Sequence, residues 1–181
     1  MDVFEAVQKR RSIRAYDSTP IPNEKLERIL EAGRLAPSAG NVQPWHFIVV
    51  KDREKRRKLA KGGRYARFLK ESPIVIVGCG DEEASRGWYM VDVAIAMQNI
   101  VLTATSEGLG TCWIGSFTED QVKEMLKIPE NFRVVALLSI GYPREKPDIL
   151  GKISHVVRRR KRLGRIVSFE EYGTSFKLQH S

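Results

Sequence analysis

Ala36-Pro37-Ser38-Ala39-Gly40-Asn41-Val42-Gln43-Pro44-Trp45-His46-Phe47-Ile48-Val49-Val50 is the stretch whose reading decides the fold. Upstream, Leu26, Ile29, Leu30 and Leu35 recur at helical spacing, so a helix over 23–35 delivers the chain to this point. Pro37, Ser38, Gly40 and Asn41 then form a turn cluster with exposed backbone donors. Gln43-Pro44-Trp45 leads into an apolar run, His46 to Val50, of strand length and composition. Small residues immediately before a buried strand allow a flat group to approach the main chain closely.

Working outward, Asp2 with Glu5 three residues on is a capping box for a first helix, which carries Val3, Phe4 and Val7 on one side and fades near Arg11. Arg10, Arg11, Ser12 and Arg14 follow at its exit. Their guanidinium forks and hydroxyl suit phosphate oxygens, although cations also favour the negative end of a helix dipole. Residues 52–60 read as a polar helix or loop, and Gly62-Gly63 as a flexible lead toward Arg67 and Phe68. Residues 73–79 form a short buried strand. The helix over 86–106 is apolar nearly all round, with Asp92, Gln98 and Asn99 as exceptions, so it is a central core helix, a subunit interface or both. Gly108-Leu109-Gly110 stops it. A strand follows over 111–115, then a helix to Leu126 opened by a Thr118/Gln121 capping box. A strand over 132–141 is closed by Tyr142-Pro143, and 166–169 is read as a last short strand.

At 181 residues, with 42% hydrophobic and 29% charged residues, the chain is one globular domain with a real core. No apolar run reaches the ~18 residues of a membrane span, and the N-terminus lacks the pattern of a secretory signal, so a cytoplasmic protein is expected. Cys79 and Cys112 sit in strand-like runs and read as buried thiols rather than a disulfide. His46, His155, His180 and the cysteines show no metal-ligand spacing, and His46 reads as a strand histidine bonded to backbone. Hydrolase elbow, dinucleotide-binding and Walker-type glycine patterns are absent. The net charge of +9 is concentrated in 9–14 and 158–165, which leaves nucleic acid or an anionic small molecule as partner. Aromatic residues are not interleaved with the second run, which argues against nucleic acid.

Four pieces in order, Arg10-Arg11-Ser12-Ile13-Arg14, residues 37–45, Gly108-Leu109-Gly110-Thr111-Cys112-Trp113-Ile114-Gly115 and Gly141-Tyr142-Pro143, resemble the nitroreductase family of flavin enzymes over nearly the whole chain. The resemblance implies an α+β fold with a mainly antiparallel central sheet flanked by helices. It also implies an intertwined homodimer with FMN at the interface, NADH or NADPH as donor, and a small electrophile such as a nitroaromatic or quinone as acceptor. One domain over 1–181 is implied, its segment from about 155 onward reaching over the partner subunit. A flavin binder with little turnover is the alternative.

Carried over by position, Arg10, Arg11, Ser12 and Arg14 hold the phosphate and ribityl end, together with Arg160 and Arg162. Pro37, Ser38 and Asn41 line the ring, some of them from the partner subunit. Ile114, Gly115 and Ser116 bring main chain to the ring's N5 edge, and Arg67 falls near N1 and O2. No side chain is assigned a catalytic proton; the chemistry is the flavin's. Ala39 and Gly40 stand where relatives often carry hydroxyls, and no long excursion after the central helix forms a lid.

Overall fold

The carboxylate of Asp2 accepts the Glu5 N–H at 2.8 Å while Glu5 reaches back to the Asp2 N–H at 3.1 Å, so the first helix opens on the reciprocal box read from the sequence. A computed structural model describes residues 1–63, 65–144 and 160–175. The chain divides into two units, Met1–Lys146 and Pro147–Ser181. Of the sequence expectations, those on His155, Arg158, Arg159 and His180 lie outside the described residues.

In the first unit the elements are α1 (Val3–Lys9), α2 (Asn23–Arg34), β1 (Trp45–Val50), α3 (Arg53–Lys61), β2 (Ile74–Asp81), α4 (Tyr89–Ser106), β3 (Gly110–Ile114), α5 (Glu119–Leu126) and β4 (Phe132–Gly141). The four strands form one sheet in the order β1-β2-β4-β3, and every adjacent pair is antiparallel. β1 and β3 are therefore its two edges. β2 pairs Trp45 with Gly80 on one side and Ile74 with Ile140 on the other, with a register shift at Gly78/Cys79.

Both faces of the sheet are covered. Ile76, Leu138 and Ile140 pack with Ile29 of α2 and Met97, Ile100 and Val101 of α4. The alternate residues Val75, Val77 and Leu137 pack with Leu59 of α3, Leu69 and Val122 of α5. Coverage on both sides explains why β2 and β4 read as continuous apolar runs rather than as alternation. Each fully buried aliphatic side chain of α4 contributes roughly 1.5–3 kcal/mol, so this helix anchors its layer. Its other side is not covered: Met90, Val91 and Ile95 are exposed, as are Val3 and Phe4 of α1.

Three expectations change. Residues 166–169 do not form a strand: among the described residues the second unit has a 3-10 turn at Leu163–Arg165 and an isolated bridge between Ser168 and Ser175, too short to make a ladder. Thr118 is the N-cap of α5 but makes no side-chain cap bond; Glu119, which takes Arg133 at 2.8 Å and the Val134 N–H at 2.9 Å, ties the helix start to β4 instead. His46 is exposed on the edge strand, its ring edge-on to Phe132 at 6.0 Å, rather than bonded to backbone. Among the described residues no helix is long and apolar enough to cross a membrane.

Candidate active site

The chain leaves α1 at Arg10 and lies down beside β3. Ser12 forms a parallel bridge with Thr111, and the Ile13 N–H donates to the Thr111 carbonyl at 2.8 Å. Tyr16 locks the far end: its buried hydroxyl donates to the Ile13 carbonyl at 2.5 Å and meets Ser139 Oγ at 2.6 Å. The basic segment is thus a fifth ribbon on the β3 edge, with Arg10, Ser12 and Arg14 half-buried. Arg11 does something else, donating to the carbonyls of Gln8 and Arg10 at 2.6 and 2.9 Å, which satisfies the end of α1.

At the other end of β3 the ladder stops at the Ile114–Leu137 pair, and Gly115 and Ser116 continue past it. Ile114 is buried, Gly115 is exposed, and no atom lies within 4 Å of where a Gly115 Cβ would stand. Gly63 packs onto Ser116 so closely that a Cβ there would be 1.7 Å from the Ser116 carbonyl oxygen. This contact brings the loop that leads to Arg67, an exposed residue opening a 3-10 turn (Arg67–Lys70), to the same end of β3. From Thr111 to Gly115 the strand spans roughly 13 Å, so the basic segment is bridged at one end of the edge and bare main chain stands at the other.

The 36–43 turn belongs to the opposite edge, at the entry to β1. Ser38 Oγ accepts the Gln43 N–H at 2.9 Å, and a 3-10 turn spans Ala39–Asn41. Gly40, Asn41 and Gln43 all have φ between +54° and +57°. That conformation costs a non-glycine residue roughly 1 kcal/mol or more, so the turn needs external support. Pro37 and Asn41 are exposed and Ser38 is half-buried. β1 and β3 are separated by three strand spacings, roughly 14 Å. Within one chain the turn therefore does not close over Gly115.

Arg160 and Arg162 are exposed in the second unit, Arg162 immediately before the Leu163–Arg165 turn. A groove of about 720 Å³ in the first unit, among Tyr16, Lys51, Arg56 and Arg144, includes none of the anticipated cofactor residues. Sequence reading assigned no role to Asp92 or Asp81, which brace the 36–44 turn: the Ala39 N–H donates to Asp92 Oδ1 at 3.1 Å, and the Asp81 N–H to the Pro44 carbonyl at 2.9 Å. The signal was present, since Asp92 is the one charged residue of α4.

An antiparallel sheet between two helical layers, with a basic segment on one edge and a small-residue turn at the other, defines an α+β protein. The model of the nitroreductase family matches residues 7–62 and 60–142, and the chain belongs to that family. It is 39% identical over 154 residues to a provisionally named NADH dehydrogenase/NAD(P)H nitroreductase of Archaeoglobus fulgidus, covering 81% of this chain and 88% of the other. Among solved structures, a nitroreductase family protein of Clostridium novyi NT superposes with a TM-score of 0.77 at 36% identity over 97% of both chains. An FMN-dependent nitroreductase of Clostridium difficile R20291 superposes with a TM-score of 0.73 at 38% identity, over 79% of this chain and 88% of that one.

Proposed function

We propose that the protein is a homodimeric oxidoreductase that binds FMN between its subunits and uses NADH or NADPH to reduce a nitroaromatic, quinone or related small electrophile. The observation that carries this reading is the β3 edge, with the Arg10–Arg14 segment bridged to it at Thr111 and Gly115 open at its end. An elongated anion with a flat head fits such an edge: phosphate at the cations, ring over the glycine. The FMN-dependent relative at 38% identity supports the choice of ligand.

When bound, FMN supplies two-electron hydride chemistry in two successive half-reactions, with donor and acceptor using the same place in turn. The chain's own residues bind and orient it. Arg10, Ser12 and Arg14 hold the phosphate end, Arg11 being engaged at the end of α1, and Arg160 and Arg162 are further phosphate contacts. Ile114 ends the sheet ladder and Gly115 and Ser116 offer main chain beyond it, where an N–H donor can favour hydride acceptance at N5. Arg67 sits on the loop that Gly63 fastens to Ser116, suited to stabilise negative charge on the ring. Pro37, Ser38 and Asn41 line the ring from the partner subunit, since their own β1 edge is too far from Gly115.

The dimer has its own support. Met90, Val91 and Ile95 leave an apolar strip on α4 open to solvent, and Val3 and Phe4 do the same on α1. Leu163, Ile166 and Tyr172 are exposed in the second unit, which suits a segment that reaches over a partner. Work in the cytoplasm agrees with Cys79 and Cys112, both buried and neither in a disulfide.

Purification tests the proposal. The protein is expected yellow, releasing FMN on denaturation, bleaching under NADH or NADPH without oxygen, and recolouring when a nitroaromatic is added. A colourless protein that takes up no FMN sinks the reading; a yellow one that no nicotinamide bleaches reduces it to a flavin carrier.

A further inference from the structure

Asp92 is the one charged residue of α4 and is 2% exposed, in a stretch otherwise apolar. A carboxylate so placed costs free energy unless both oxygens are satisfied. They are: Oδ1 accepts the Ala39 N–H and Oδ2 the Ser85 hydroxyl, each at 3.1 Å. Its position in the first turn of the helix adds a favourable dipole. Ser85 belongs to the loop that Asp81 organises through the Glu83 and Ala84 N–H groups, and Asp81 also donates its own N–H to Pro44. The 39–44 turn is therefore held at both ends by groups outside it. Between those two clamps lie the three left-handed residues Gly40, Asn41 and Gln43.

Resting on the FMN reading above, we infer that Asp92 is the positioning residue of the ring-lining turn: it touches no ligand, but fixes Ala39 so that Ser38 and Asn41 present to the flavin in one conformation. Core packing does not call for a carboxylate here, and a helix interior of this composition would bury an apolar residue more cheaply. Its two acceptors point at one backbone donor of the turn and one hydroxyl of the helix approach, which join the turn to the start of α4.

The test uses the full-length dimer and three variants. Asp92→Ala removes both acceptors. Asp92→Asn keeps an acceptor for Ala39 and offers Ser85 a donor. Ala39→Pro deletes the donor from the other side and is sterically permitted, because Ser38 is already extended at ψ 158. Asp92→Ala and Ala39→Pro are each expected to weaken FMN binding about tenfold and to shift the visible absorption and midpoint potential of bound flavin. The double variant is expected to be no weaker than either single one. Asp92→Asn is expected to restore affinity to within about threefold of the parent. Unchanged FMN affinity and flavin spectrum in both disruptive variants would overturn the inference, as would additive losses in the double variant. If the parent protein binds no FMN the functional reading fails instead. Hydrogen exchange of the Ala39 amide, expected to speed up in Asp92→Ala and not in Asp92→Asn, then decides Asp92's hold on the turn.

Discussion

At Gly63 a single added methyl would stand 1.7 Å from the Ser116 carbonyl oxygen, while at Gly115 it would meet nothing. The two glycines look alike in the sequence and do opposite things. Gly63→Ala must move backbone, so it is expected to destabilise by about 1–3 kcal/mol, read as a drop in the urea midpoint. Gly115→Val is expected to leave that midpoint within about 0.5 kcal/mol of the parent yet abolish FMN uptake, because the side chain fills the space proposed for the ring. A Gly115→Val protein that titrates normally with FMN would place the ring elsewhere. Cys79, 1% exposed, has its thiol pushed up to about 12 by burial, with Glu119 adding to the effect. Between pH 9 and 12 the unfolded chain releases this proton while the folded one keeps it. Stability is therefore intact below pH 9 and falls above it, at up to about 1.4 kcal/mol per pH unit. Replacing Cys79 with alanine is expected to flatten the alkaline limb of a stability–pH curve; an unaltered slope would assign that limb to other groups, such as the buried Tyr16 hydroxyl, also raised by burial.

Among the elements, α4 carries the most consequence. Val93, Met97, Ile100 and Val101 are fully buried against the sheet, and the opposite side leaves Val91 44% and Ile95 37% exposed. An all-round apolar helix with one uncovered strip is what a subunit contact requires. Val91→Glu together with Ile95→Lys is expected to preserve far-ultraviolet dichroism, convert a dimer to a monomer in sedimentation, and lose FMN with it. A dimer that survives both charges would move the contact away from α4. Capping and periodicity made α1, α2 and the strands legible, since these signals act over three or four residues. α5 shows the limit: Thr118 and Gln121 have the right spacing, but Glu119 is drawn to Arg133 and Val134 of β4. That competition depends on a strand fourteen residues later. Residues 166–169 fail as a strand for a related reason, since β composition does not decide pairing, and among the described residues it yields the isolated Ser168–Ser175 bridge.

For the whole molecule the decisive fact is that β1 and β3 are opposite edges of one sheet. A site that needs both the 36–43 turn and Gly115 is incomplete in one chain, which is why the proposed function calls for a second. The two basic ends make a separate demand: Arg14 lies beside β3 and Arg162 in the second unit, and the proposal requires both at one phosphate. Arg14→Ala with Arg162→Ala is expected to raise the FMN dissociation constant by about two powers of ten, losing one charge-assisted contact at each position. Equal affinity in the double variant would mean that the phosphate sits elsewhere.

By itself the sequence determined α1, α2, α4 and α5, the four strands, the buried thiols and membership of the nitroreductase family, because each rests on local pattern or on motifs in order, while 52–60 stayed open between helix and loop. Only the tertiary structure decided strand order, the outward side of α1 and α4, the diversion of Arg11 to a helix end, and the clamp of Asp92 on Ala39. The physical reason is range. A cap or an amphipathic period is settled by neighbours along the chain, whereas which edge a strand occupies, and which buried carboxylate meets which amide, depends on groups fifty or more residues apart, as Ala39 and Asp92 are.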